Sequence, residues 1–175
     1  ELHTSTLGGV YNDQILAIEK LSEILPNDFF IYVKEHPQQL FFQRDEYFFK
    51  RLKKLKNVKY LSSSVSTYEL MLKAKFVSTI TGTVAWEAVT GGKPSLIFGR
   101  AWFRKLHGVF EYNDNFNINE IIDFNDNHQF VEKEYNELIL KSREGTTNAD
   151  YISFVKDFSL TNNTNLLKKF IISQL

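Results

Sequence analysis

An α/β fold, with a Rossmann-like parallel sheet and helices on both faces, is predicted by three observations. A short, nearly continuous apolar run rich in aromatic and β-branched residues at 29–33 fits a strand covered on both faces, and further short strands follow at 58–61, 76–80 and 95–98. Segments of helical length and spacing separate them, which implies right-handed βαβ units. Of the 175 residues 43% are apolar, with 16 Phe, 8 Tyr and 2 Trp, which is ample material for a packed core and excludes intrinsic disorder.

Taken in order, Asn12 is a suitable N-cap, and Ile15, Ile18, Leu21, Ile24 and Leu25 keep a three-to-four spacing up to Pro26-Asn27-Asp28, which predicts an amphipathic helix and a turn. The strand at 29–33 ends at His36-Pro37. A helix over 45–56 turns Phe48, Phe49, Leu52 and Leu55 inward, and a strand follows at 58–61. Helix, strand, helix and strand then follow at 66–74, 76–80, 83–90 and 95–98. Between 113 and 127 six Asn mark a turn-prone stretch around a short helix at 119–124. Segments 130–143, 150–158 and 164–172 are helical, with no strand between them. Residues 1–112 are therefore expected to form the core, and 113–175 to supply helices that complete or brace the same lobe. The opening ELHTSTLGG has neither an initiator Met nor a leader, so the chain reads as a fragment of a longer protein.

Charge and composition narrow the function. Lys and Arg total 21, as do Asp and Glu, so no global field attracts a nucleic-acid backbone. No stretch approaches the roughly 18 apolar residues of a membrane span. The absence of Cys removes disulfides and thiolate chemistry, which makes the cytoplasm the expected compartment. No Asp-x-Asp pair is present and the four His lack ligand spacing, so neither a metal nor a cofactor is expected. G-x-G-x-x-G and G-x-S-x-G are absent, and Gly91-Gly92-Lys93-Pro94 fails the P-loop pattern; it reads as a helix C-cap before a strand.

Ligands of parallel α/β sheets bind beyond the carboxyl ends of the strands. Lys34-Glu35-His36-Pro37 stands at one such end: Pro37 suits the first position of a helical turn whose free N–H groups face an anion, and His36 adds a donor. The alternative is a plain strand end with solvated charges. At a second end, Thr81-Gly82-Thr83 offers two hydroxyls and a close backbone approach, and Glu87 lies one turn along the same helix face, in reach of a ribose diol. Here the alternative makes Thr83 an N-cap and Glu87 a first-turn acid. A third loop, Gly99-Arg100-Ala101-Trp102-Phe103, lies at the same edge, with Trp102 and Phe103 either walling a pocket or filling the core. The basic run Lys50, Arg51, Lys53, Lys54, Lys56 and Lys59 is a solvated helix face, or a contact for anionic lipid headgroups.

These motifs in this order, with Gly8-Gly9-Val10-Tyr11-Asn12-Asp13-Gln14 ahead of them and Gly92-Lys93-Pro94 and Phe98-Gly99 behind, resemble bacterial capsule and surface polysaccharide synthesis proteins, which include the β-Kdo glycosyltransferases. The resemblance covers roughly residues 1–110 and implies the C-terminal, donor-binding lobe of a GT-B glycosyltransferase that takes a nucleotide-activated, CMP-linked sugar. It implies that His36 and Pro37 meet the donor phosphate, with His36 the catalytic group that stabilises it on departure, and that Thr81, Gly82 and Thr83 cradle the same phosphate. It further implies Arg44 as a basic residue near that phosphate, Glu87 on the ribose, and Glu1 as the acid of a Pro-Glu pair. A glycolipid or polysaccharide acceptor would enter through an N-terminal lobe outside this chain. The competing readings are a CDP-glycerol glycerophosphotransferase of teichoic-acid type and a non-catalytic nucleotide-binding or interaction module.

Overall fold

The computed structural model describes residues 6–36, 44–125, 128–147 and 149–173. After a 3-10 turn at Gly9–Asn12 come α1 (Gln14–Ile24), β1 (Ile31–Lys34), α2 (Glu46–Leu52), β2 (Val58–Leu61), α3 (Thr67–Lys73), β3 (Val77–Thr79), α4 (Val84–Thr90), β4 (Ser95–Ile97) and β5 (Val109–Glu111). Next are α5 (Asn119–Ile122), α6 (His128–Lys141), a 3-10 segment at Ala149–Phe154 and α7 (Leu160–Ile172). Two parallel ladders form, β1 with β2 and β3-β4-β5 with β4 central.

The expected α/β fold is therefore present, and β4 shows why the sheet needs cover on both faces. Neighbouring strand residues point in opposite directions. Leu96 packs with Ala17 and Leu21 of α1, with Leu25 just past its end and with Ile118 and Ile121 at α5, whereas Ile97 packs with Ala85 of α4 and with Ala101, Phe103 and Leu106. Each such fully buried aliphatic side chain contributes roughly 1.5–3 kcal/mol. The first of these clusters also takes in Ile31 of β1 and, at its margin, Val33, Val58 and Ile80, so both ladders share one core.

Several boundaries follow local chemistry. Asp45 and Ser66 cap α2 and α3 by accepting the N–H of Phe48 at 2.8 Å and of Glu69 at 3.3 Å. Gly92, with φ +79°, ends α4: its N–H reaches the Val89 carbonyl at 3.1 Å and the Lys93 N–H reaches Ala88 at 2.8 Å. The Lys93 ammonium caps the C-terminus of α3 through the Ala74 carbonyl at 2.9 Å. Other expectations are corrected. Asn12 falls in the 3-10 turn, and Asp13 flanks α1 with its carboxylate turned to Arg51. The segment expected to be helical at 150–158 is a 3-10 turn that stops before Asp157, whose φ of +53° no helix accommodates. Strand β5 was not anticipated. Helix α7 begins at Leu160 rather than 164, because the Ser159 hydroxyl accepts the Asn162 N–H.

The chain divides into two compact units, Glu1–Glu134 and Tyr135–Leu175. In the second, Asn163 of α7 exchanges two hydrogen bonds with the Thr146 backbone at 2.8 and 2.9 Å, next to Gly145 at φ +125°.

Arg51 of α2 locks onto α1. Its guanidinium donates to both Glu19 carboxylate oxygens, one at 2.8 Å, and to Asp13. The Arg51 hydrogen bond holds the Glu19 carboxyl below its ordinary pKa, against the opposing effect of burial. A carboxyl whose pKa is depressed in the folded state stabilises the fold above its unfolded pKa, and that contribution disappears as pH falls through the folded value. Glu19→Gln is therefore expected to cost about 1 kcal/mol near neutral pH, with the deficit shrinking below a pH of about 4. Urea unfolding of both proteins at neutral and acidic pH checks this; a deficit independent of pH would contradict the pairing.

Candidate functional site

Three loops leave the carboxyl ends of β1, β3 and β4. At the first, Glu35 is not a solvated charge. Arg44 grips it with two hydrogen bonds, Nε to Oε1 at 2.8 Å and Nη2 to Oε2 at 2.9 Å, while the Tyr60 hydroxyl donates to Oε1 at 3.2 Å. Both ion-pair partners are largely buried. Arg44 also donates to Gln14 and lies 4.7 Å above the Phe48 ring. Burial, followed by the Glu35 charge, raises the Tyr60 phenol pKa. Two-point arginine–carboxylate pairing is directional as well as strong, so it clasps the segment leaving β1 to the segment returning at α2. His36 sits exposed just past that clasp. Pro37 and the rest of the loop through residue 43 lie outside the described residues, as does Glu1.

At the second loop, the Gly82 N–H donates to the Thr79 hydroxyl at 3.2 Å, folding the turn back on its own strand. A Cβ on Gly82 would stand 2.8 Å from that oxygen, so what a side chain meets first here is Thr79. Thr83 holds the N-cap position of α4, yet its hydroxyl makes no capping bond. Among the described residues the Thr81 side chain also shows no hydrogen bond. Glu87 is exposed one turn into α4 and its N–H bonds the Thr83 carbonyl at 2.9 Å, which sets Thr83 and Glu87 on one helix face.

The third loop joins the second. The Phe98 and Gly99 N–H groups bond the Thr79 and Ile80 carbonyls at 3.0 and 2.8 Å, extending the ladder past the strand ends, and the Arg100 N–H bonds the Leu7 carbonyl at 2.9 Å. Gly99 is packed so tightly that a Cβ would stand 2.7 Å from Thr81 Cγ2 and 2.8 Å from the Leu7 carbonyl oxygen. Beside it opens a cavity of about 310 Å³ lined by residues 7–11, 97–100 and Glu111 and Tyr112. Phe103 belongs to the core, and Trp102 is exposed with its ring 5.2 Å from Trp86.

The structure thus brings Thr81 against Gly99, and puts His36 and the 81–83 turn at the ends of strands from different ladders whose side chains enter one core. Sequence reasoning missed the cavity; its signal was the Gly8-Gly9 pair, which forms a wall without side chains. Among the described residues, no three His, Asp or Glu side chains gather as a metal-holding group.

Gly99→Ala is expected to destabilise the chain by about 1–3 kcal/mol, because one of the atoms in the way is backbone. Gly82→Ala should cost less, since a hydroxyl can yield where a carbonyl cannot. Thermal unfolding of the two variants checks the order, and a Gly99→Ala variant as stable as the parent would contradict it.

The comparisons bear on the same stretch of chain. The family model for capsule polysaccharide biosynthesis proteins matches residues 5–115, which span all three loops. Comparison with curated proteins and with solved structures gave no match. Its match over more than half of the sequence shows that this chain belongs to the capsule polysaccharide biosynthesis protein family.

Proposed function

We propose that the chain is the donor-binding lobe of a GT-B glycosyltransferase that uses a CMP-linked sugar, without a metal ion, in surface polysaccharide synthesis. The observation that carries the proposal is the family match across the strand-end loops, which supports a role in surface polysaccharide synthesis. The chemistry of the loops suits the finer reading. Transfer from such a donor leaves a nucleoside phosphate, and donors aimed at the charge that develops on it lower the barrier. The Gly82 N–H is held by Thr79, so the groups offered to the phosphate are the Thr81 and Thr83 hydroxyls and His36, with Pro37 expected to start the turn whose following N–H groups face the same anion. In this reading Arg44 orders the His36 loop through Glu35, and Glu87 accepts from the ribose hydroxyls.

The acceptor, a glycolipid or polysaccharide, would enter through an N-terminal lobe outside this chain. The reading sets the protein in the cytoplasm, with the basic run at 50–59 available to anionic lipid at the inner face of the membrane. No helix among the described residues is long and apolar enough to cross a membrane.

Calorimetric titration with CMP, UMP and GDP in EDTA tests the reading. CMP is expected to bind saturably and more tightly than the others. Binding that needs added Mg²⁺, or a preference for GDP, would contradict it.

Glu87 gives a sharper test. Glu87→Gln exchanges a charged acceptor for a neutral one, so CMP affinity should fall by about 1 kcal/mol or somewhat more. The loss should be smaller for 2′,3′-dideoxy-CMP, which lacks the hydroxyls in question. Equal losses would make Glu87 a structural first-turn acid of α4.

A further inference from the structure

We infer that the exposed ring of Trp102, backed by Trp86, is a platform on which a sugar residue of the acceptor polysaccharide stacks beside the 81–83 turn. The inference rests on the donor-binding reading above and goes beyond it by giving the acceptor a foothold on this lobe.

The sequence has two Trp, and the fold brings both together near the strand-end loops, with ring centroids 5.2 Å apart. Trp86 lies three residues past Thr83 on α4, a neighbouring position on the helix surface about 4.5 Å further along the axis. Trp102 lies three residues past Gly99, the residue packed against Thr81. Both rings therefore belong to the surroundings of the turn, where an acceptor must meet the donor.

Trp102 is 57% exposed, whereas Phe103 next to it is buried at 1%. An indole left in water forgoes one of the larger contributions a side chain makes to a core, so the fold gains little from the outer face of this ring. The ring is nonetheless held from behind. It meets Phe103 edge-on at 5.3 Å, and half-buried Trp86 packs against the cluster of Ala85, Ile97, Ala101, Phe103 and Leu106. A flat apolar face that is already fixed loses little freedom when a ligand covers it.

The chemistry around the ring names the ligand. A pyranose carries C–H groups on the faces of its ring and hydroxyls around its edge, so it stacks on an indole while its polar groups stay hydrated or hydrogen-bonded. Arg100, Arg104 and Lys105 flank Trp102 in the chain, and of the three only Lys105 forms an ion pair among the described residues, with Glu111 at 2.9 Å. Two uncompensated guanidiniums favour a glycan that bears acid groups, since their planar forks match a carboxylate. The family works in polysaccharide synthesis, and a platform open on its outer side accommodates an inner residue of a polymer, which an enclosed pocket does not. The occupant is therefore an acidic polysaccharide chain.

The test is titration of the 175-residue chain and its Trp102→Ala and Trp102→Phe variants with hyaluronan oligosaccharides, oligosialate, poly-L-glutamate and CMP, followed by calorimetry and by intrinsic fluorescence, to which these two Trp alone contribute among the Trp of the chain. At least one of the two acidic glycans is expected to bind saturably and to change the fluorescence. Trp102→Ala should weaken that glycan about ten-fold or more, with Trp102→Phe in between, while CMP affinity stays within about two-fold. Binding of neither glycan, or glycan binding that Trp102→Ala leaves unchanged, overturns the platform. An equal loss for poly-L-glutamate, which has charge but no sugar ring, overturns stacking, and an equal loss for CMP assigns the ring to the donor instead. CMP titration of the parent chain judges the donor reading separately, so the two can fail independently. Melting curves of both variants separate a binding loss from a folding loss.

Discussion

At Gly99 three stretches of chain that are far apart in sequence come within contact of one another. The Leu7 carbonyl, Thr81 and Ile80 all lie where its side chain would have been. Because that side chain is absent, the β3-β4 ladder can continue past the last strand residues, and the N-terminal segment can hydrogen-bond to Arg100. The turn at 81–83, the cavity and the rim position of Arg100 all depend on this approach. A methyl group there must push on the Leu7 backbone and on the Thr81 and Ile80 side chains at once.

The scaffold behind that contact is rigid for reasons of packing. All three residues of β4 are buried, and its alternating side chains are taken up by α1 and α5 on one face and by α4 with the 101–106 loop on the other. Ala85 and Ala88, both fully buried, let α4 lie close to the sheet, which brings the start of that helix to the strand ends. Charge works at the margins. Arg51 joins α1 to α2, and Arg44 ties the entry of the β1 loop to its exit, each through two hydrogen bonds to one carboxylate. Binding loops carried on a stiff frame need less ordering when a ligand arrives.

How much of this could be read from the residues depended on how local each cause was. Strand β2 was legible to the residue because the strand formers Val58 and Tyr60 stand between Asn57 and Ser62, and α3 because its cap, Ser66, bonds a residue three along. Strand β5 was not, since Val109, Phe110 and Glu111 become a strand only by pairing with β4. Asn12 was expected to cap α1, but it falls in the 3-10 turn, and Asp13, which flanks the helix instead, turns its carboxylate to Arg51, thirty-eight residues away. Arg44 has the chemistry of a phosphate ligand, and its two hydrogen bonds to Glu35 are something spacing alone does not reveal. The strand-end rule located the three loops; it did not show that the third would pack on the second, or that residues 7–11 would close a cavity over them.

The central claim is that the carboxyl edge near Gly99, rather than another surface, receives the nucleotide phosphate. The structure offers a rival groove of about 310 Å³ bounded by Arg104, Lys105, Phe110, Asn113, Phe116 and Glu120. The most direct measurement is a ¹H–¹⁵N correlation spectrum of the chain followed residue by residue as CMP is added in EDTA. The account predicts the largest amide shifts at Thr81, Gly82, Thr83 and His36, with smaller ones at Gly99 and Arg100. Shifts centred on the Lys105 to Glu120 groove, with the 81–83 turn unmoved, would contradict it.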